Sequence, residues 1–78
     1  WSLPLSQAAS AYRPGDIVTW DLGRGLTHIG MVSDHRAATG VPLILHNIGR
    51  GTQEEDILFS YRITGHYRPP AELAKTGS

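Results

Sequence analysis

Hydrophobic and polar residues alternate with a period of two over several short stretches, a pattern that predicts strands rather than helices. Between Ile17 and Leu22, the residues Val18, Trp20 and Leu22 share one face while Ile17, Thr19 and Asp21 share the other. Thr27 to Ser33 repeats the pattern and sets Thr27, Ile29 and Met31 against His28, Gly30 and Val32. Gly23-Arg24-Gly25 between these two segments supplies the turn of a hairpin. Val41 to Ile48 predicts a third strand, with Leu43, Leu45 and Asn47 opposed to Ile44, His46 and Ile48. Tyr61 to Tyr67 predicts a fourth, with Tyr61, Ile63 and Tyr67 on one face, and Pro69-Pro70 stops it. Tyr12-Arg13-Pro14-Gly15-Asp16 has the proline and glycine of a turn. Thr52 followed by Glu55 matches a capping box, which predicts a short helix through about Phe59.

These elements predict a mainly β fold: a small antiparallel sheet or half-barrel of four to five strands with one short helix. The expected organisation is a lead-in over residues 1–11, a small β-barrel-like domain over 12–68 and a polar tail over 69–78. The expected core comprises Ile17, Val18, Trp20, Ile29, Met31, Val32, Leu43, Leu45, Ile57, Leu58 and Ile63.

Composition narrows the function. A chain of 78 residues holds one domain, and at that size folding hides only ~60% of the surface of the open chain. With 40% hydrophobic and 18% charged residues it is too apolar for a disordered tail. Seven Lys and Arg balance seven Asp and Glu, so charge gives no reason to expect nucleic acid or an anionic membrane as partner. No apolar run approaches the roughly 20 residues of a bilayer span, and no leader pattern is expected within these residues. Cysteine is absent. That removes disulfides, thiolate zinc sites and a cysteine nucleophile supplied by these residues, while leaving the compartment open.

Four histidines carry most of the remaining chemistry. His28 on the second strand and His46 on the third come within hydrogen-bond reach if the strands are adjacent, and one ring then fixes the tautomer of the other. Gly30, two residues from His28, is expected to leave space beside the imidazole. The same pattern is met by two half-buried strand histidines bonded to backbone carbonyls, and the residues alone leave both readings open. His35 falls in a polar loop and is expected to be solvated, and His66 late in the fourth strand reads as structural. The spacing of His28, His35, His46 and His66 matches no helical zinc motif, so no metal and no cofactor is expected. Glu54-Glu55-Asp56 place negative charge where Gly49-Arg50-Gly51-Thr52 would present amides to a phosphate. No GxSxG run marks a serine nucleophile.

The order of the pieces adds a resemblance. Pro14-Gly15-Asp16-Ile17-Val18-Thr19-Trp20 followed by Thr27-His28-Ile29-Gly30-Met31-Val32-Ser33 resembles the second half of NlpC-like, papain-fold cysteine amidases. With His46-Asn47-Ile48-Gly49, Glu55-Asp56 and Gly65-His66-Tyr67-Arg68 added, the chain from Ser2 to Arg68 resembles a bacterial family of unknown function numbered 1287 within that superfamily. The resemblance implies the β subdomain of a papain-like fold, which is α+β at full length. It implies His28 as catalytic histidine, with His46 or, second, Asn47 as the polar third member, acting on cell-wall peptide or amide bonds. The nucleophilic cysteine of such a triad is missing here, so the isolated chain is expected to be inactive. The implied partner is a cysteine-bearing N-terminal half, in a cell-envelope protein whose export signal lies upstream. The alternative expectation is a free-standing β module that binds a ligand or self-assembles into a homo-oligomer.

Overall fold

Turn residues set the limits of the strands. In the computed structural model, which describes residues 2–47 and 51–70, Gly15 takes φ 90° just ahead of β1 (Ile17–Asp21). Gly23, Arg24 and Gly25 all have positive φ and reverse the chain into β2 (Thr27–Arg36). A turn closed by Gly40, again at φ 90°, leads to β3 (Pro42–Asn47). The chain continues through β4 (Thr52–Glu55) and ends its regular structure in β5 (Arg62–Tyr67). One open sheet results, in the order β4-β3-β2-β1-β5 with every neighbouring pair antiparallel. The described helix is a single 3-10 turn at Ala9–Ala11. Among the described residues no helix is long and apolar enough to cross a membrane. Trp1 of the expected lead-in, Ile48 of the expected third strand, Gly49, Arg50 and residues 71–78 of the expected tail lie outside the described residues.

A single sheet has a core only if something covers one face. Two stretches of coil do so here. Tyr12 enters from the N-terminal segment, and Leu58 enters from residues 56–61, which carry the chain from edge strand β4 to the opposite edge β5. Together with Val18, Trp20, Val32, Ile44 and Ile63 they form the buried cluster. The indole Nε1 of Trp20 donates to the carbonyl of Leu58 at 2.9 Å, which pins the crossing segment to the sheet. Tyr12 is held in turn by its hydroxyl, which donates to the carbonyl of Ser6 at 2.6 Å.

The capping box of Thr52 and Glu55 does not start a helix. Residues 52–55 pair instead with β3, Glu55 opposite Ile44 and Gln53 opposite His46. The free edge of β3 offers a full row of backbone partners, and that outweighs one cap interaction. Beyond β4 the chain turns at Ile57 to Ser60, where the Ser60 amide donates to the Ile57 carbonyl at 3.0 Å.

The core list also needs correction. Val18, Trp20, Val32, Leu58 and Ile63 are buried as expected, but Ile29 and Met31 are 61% and 43% exposed. They lie on the outer face with half-buried Ile17, Leu43 and Leu45, because Ile17 and Leu45 both pair with Met31. Half-buried Ile57 packs at the margin of the core. Strand alternation separates two faces without saying which is covered. On β2 the covered face is the less apolar one, His28, Gly30 and Val32. The space expected beside Gly30 is filled: a Cβ there would lie 2.6 Å from Ile44 Cγ2 and 3.2 Å from both Leu45 O and Trp20 Cη2. Gly30→Ala should therefore cost about 1–3 kcal/mol by overpacking, read as a lower denaturant midpoint at unchanged slope.

A β-bulge resets the faces of β5. Thr19 pairs with Gly65 but Trp20 pairs with Ile63, so Thr64 is the extra residue. Ile63 and His66, three residues apart, thus both point inward, while Tyr67 shares the outer face with Ile17. His66 is structural. Its ring stacks on Tyr12 at 4.2 Å and its Nε2 lies 2.6 Å from Oδ2 of buried Asp16. Arg68 grips the same carboxylate, Nε to Oδ1 and Nη2 to Oδ2, both at 2.8 Å.

Candidate active site

His28 and His46 reach each other because β2 and β3 are neighbours and both side chains rise from the covered face. Val32 pairs with Ile44. Carried along the ladder, that register places His28 diagonally across from His46, within reach of long side chains. Nε2 of His28 lies 2.7 Å from Nδ1 of His46, and the rings meet edge to face at 4.9 Å between centroids. The second nitrogen of His46, Nε2, lies 2.8 Å from Oε1 of Glu55 on β4. The three side chains form a line, Glu55 to His46 to His28. Nδ1 of His28 is left without a hydrogen-bond partner among the described residues.

The middle of the line is its most buried member. The side chain of His46 is 5% exposed and that of Glu55 is 45% exposed. His28 is half-buried and sits against the Trp20 indole at 5.8 Å. Burial, and then the neighbouring His46, hold His28 below the ordinary imidazole pKa. That keeps its ring neutral near pH 7, the form a base needs. A pocket of about 510 Å³ opens over the pair. Its lining combines the polar side chains of His28, His46, Asn47 and Glu55 with the larger, mostly apolar ones of Leu22, Ile57 and Tyr61. Asn47 thus borders the pocket occupied by the pair, although its strand position faces away from His46.

The other histidines lie apart from this pair. His35 is not in a loop but near the end of the long strand β2. Exposed as it is, its Nδ1 is bound by Glu54 at 2.9 Å, and Glu54 and then Asp34 raise its pKa. The buried hydroxyl of Ser33 donates to Glu54 as well, so it faces a carboxylate and not an imidazole. His66 is occupied by Asp16. Among the described residues no three His, Asp or Glu groups converge as metal ligands.

Glu55 is the member of the line whose sequence context predicts a helix cap instead. A signal for it exists. Gly49-Arg50-Gly51 repeats the Gly23-Arg24-Gly25 pattern that marks the first hairpin. Read as a second hairpin turn, it folds residues 52–55 back on β3 and brings an acid beside His46.

Fold and site together define a small antiparallel β domain that carries a histidine pair in the lining of an open pocket. The model of a family described as Domain of unknown function (DUF1287) matches residues 1–69, and the chain belongs to that family. It is 58% identical over 65 residues to the uncharacterized protein YijF of Escherichia coli (strain K12). That match covers 83% of the chain and 32% of YijF, so the chain spans about a third of the length of this relative. No solved structure matches it.

Proposed function

We propose that this chain is the histidine-bearing half of a papain-like (NlpC-like) cysteine amidase or peptidase that acts on cell-wall peptide or amide bonds. The nucleophile is then supplied from outside these 78 residues. One observation carries the reading: His28 is oriented through Nε2 by His46 and keeps Nδ1 open beside a pocket. An imidazole so held accepts a proton from a thiol and returns it to the leaving amine, the two transfers that acyl transfer through a thioester requires. Alone, the pair has no group to activate and would not cleave an amide. The family membership and the greater length of YijF are consistent with a larger catalytic unit.

A second reading is favoured by a different observation. The outer face, with Ile29 and Met31 exposed beside Ile17 and Leu45, fits a free-standing module that self-assembles or binds through that face.

Native and denatured mass spectrometry of the protein from its own source separates the two. The hydrolase reading expects a species heavier than 8.5 kDa that contains this sequence and a cysteine. Its thiol should be alkylated near pH 6 faster than a free cysteine, because an adjacent imidazole favours the thiolate. A lone 8.5 kDa chain or a homo-oligomer of it would overturn that reading and establish the module.

A further inference from the structure

We infer that Glu55 is the positioning residue of the histidine pair: it dictates which nitrogen of each ring carries the proton and thereby aims the His28 lone pair at the pocket. The inference rests on the reading of His28 as a base and adds a residue that the motif resemblance did not place in the site.

The argument follows from donor and acceptor counts. A carboxylate only accepts, so at 2.8 Å from Glu55 the Nε2 of His46 must carry a hydrogen. A neutral His46 then has an unprotonated Nδ1, which can only accept. At 2.7 Å from that atom, Nε2 of His28 must be the donor. A neutral His28 with hydrogen on Nε2 presents a bare lone pair at Nδ1, the atom with no partner among the described residues. Without an acceptor at Glu55, His46 is free to place its proton on either nitrogen. With the proton on Nδ1 of His46, Nε2 of His28 becomes the acceptor, Nδ1 carries the hydrogen, and the pocket faces a donor instead of a base. One carboxylate two hydrogen bonds away therefore decides whether the site can take up a proton. Glu55 occupies the place needed because β4 pairs with β3, Glu55 opposite Ile44 and Gln53 opposite His46, which sets the acid diagonal to the inner imidazole.

Long-range proton–nitrogen NMR spectra of the labelled 78-residue chain near neutral pH report the tautomer of each ring directly. In the wild type, both His28 and His46 should carry the proton on Nε2. Glu55→Ala should abolish the single tautomer of both rings and give a mixture, while Glu55→Gln, whose side-chain carbonyl still accepts, should retain it. The indole signal of Trp20, bonded to Leu58, reports that each variant is folded. Unchanged tautomers in folded Glu55→Ala would overturn the role of Glu55 and leave the pairing of His28 with His46 intact. A wild-type His28 protonated on Nδ1 would overturn both the role of Glu55 and the base assignment, and that measurement needs no variant.

Discussion

Replacing Asp16 by Ala is expected to lower the melting temperature by at least about 12 °C, the equivalent of roughly 3 kcal/mol in a domain of this size. Asp16 is 1% exposed and sits where three segments meet. Its Oδ2 accepts from the Arg13 amide at 3.0 Å across the turn that precedes β1. The same carboxylate binds the His66 ring from β5 and both donors of Arg68 beyond it. Removal of the acid leaves the Arg13 amide and a buried imidazole unsatisfied, and that imidazole already has an unpartnered Nδ1. Arg68 keeps partial access to water, with its side chain 35% exposed, which places the cost at the lower end for a broken buried pair. Asp16→Asn keeps the shape and should fall between wild type and Ala. A melting temperature for Asp16→Ala within a few degrees of wild type would show that the cluster contributes little.

The same carboxylate gives the fold a sensitivity to acid. Burial alone would raise the pKa of Asp16. Hydrogen bonds from Arg68, the Arg13 amide and His66, with the charge of Arg68, bring it down from the ordinary 3.8 to about 2. A depressed pKa means that the folded state binds its proton less readily than the unfolded chain. The contribution, about 2 kcal/mol, is therefore complete above the unfolded value and is lost as pH falls from about 4 through about 2. Denaturant titrations across that interval should lose this slope in Asp16→Asn.

What the sequence made legible follows from what each signal measures. The hairpin at Gly23-Arg24-Gly25 and the inward set of Val18 and Trp20 could be read because glycine turns and strand alternation act locally. The covered face of β2 could not. Ile29 and Met31 are more apolar than His28 and Gly30, yet the inner face is chosen by neighbours distant in sequence, Ile44 and the Trp20 ring, that fit only against a bare glycine. The Thr64 bulge was hidden for a similar reason: the register between β1 and β5 joins residues more than 40 positions apart. Glu55 was misplaced because a capping box and a strand pairing compete for the same four residues, and the winner depends on the free edge of β3. The histidine pair itself was legible as a juxtaposition that adjacent strands would produce, and its direction was not, since that depends on the misplaced acid.

Loss of the His28 imidazole is expected to be the most damaging change to the proposed chemistry. In the cysteine-bearing protein that the proposal requires, His28→Ala should reduce kcat/KM toward a cell-wall peptide or amide by about 10²–10⁴, the usual worth of a positioned general base. Little of this should come from unfolding, because His28 is half-buried at the pocket and stands outside the buried apolar cluster. His46→Ala removes the partner of Nε2 and should cost a smaller factor, on the order of tenfold or more, since the base survives without its orientation. Asn47→Ala should cost less than His46→Ala if His46 is the third member, because Nε2 of His28 is already engaged by His46 at 2.7 Å. The order of the three variants matters more than any one value. A larger loss for Asn47→Ala than for His46→Ala would transfer the orienting role to the amide and require His28 to turn away from its present partner. Activity within tenfold of wild type in His28→Ala would remove the imidazole from the reaction, and the hydrolase reading with it.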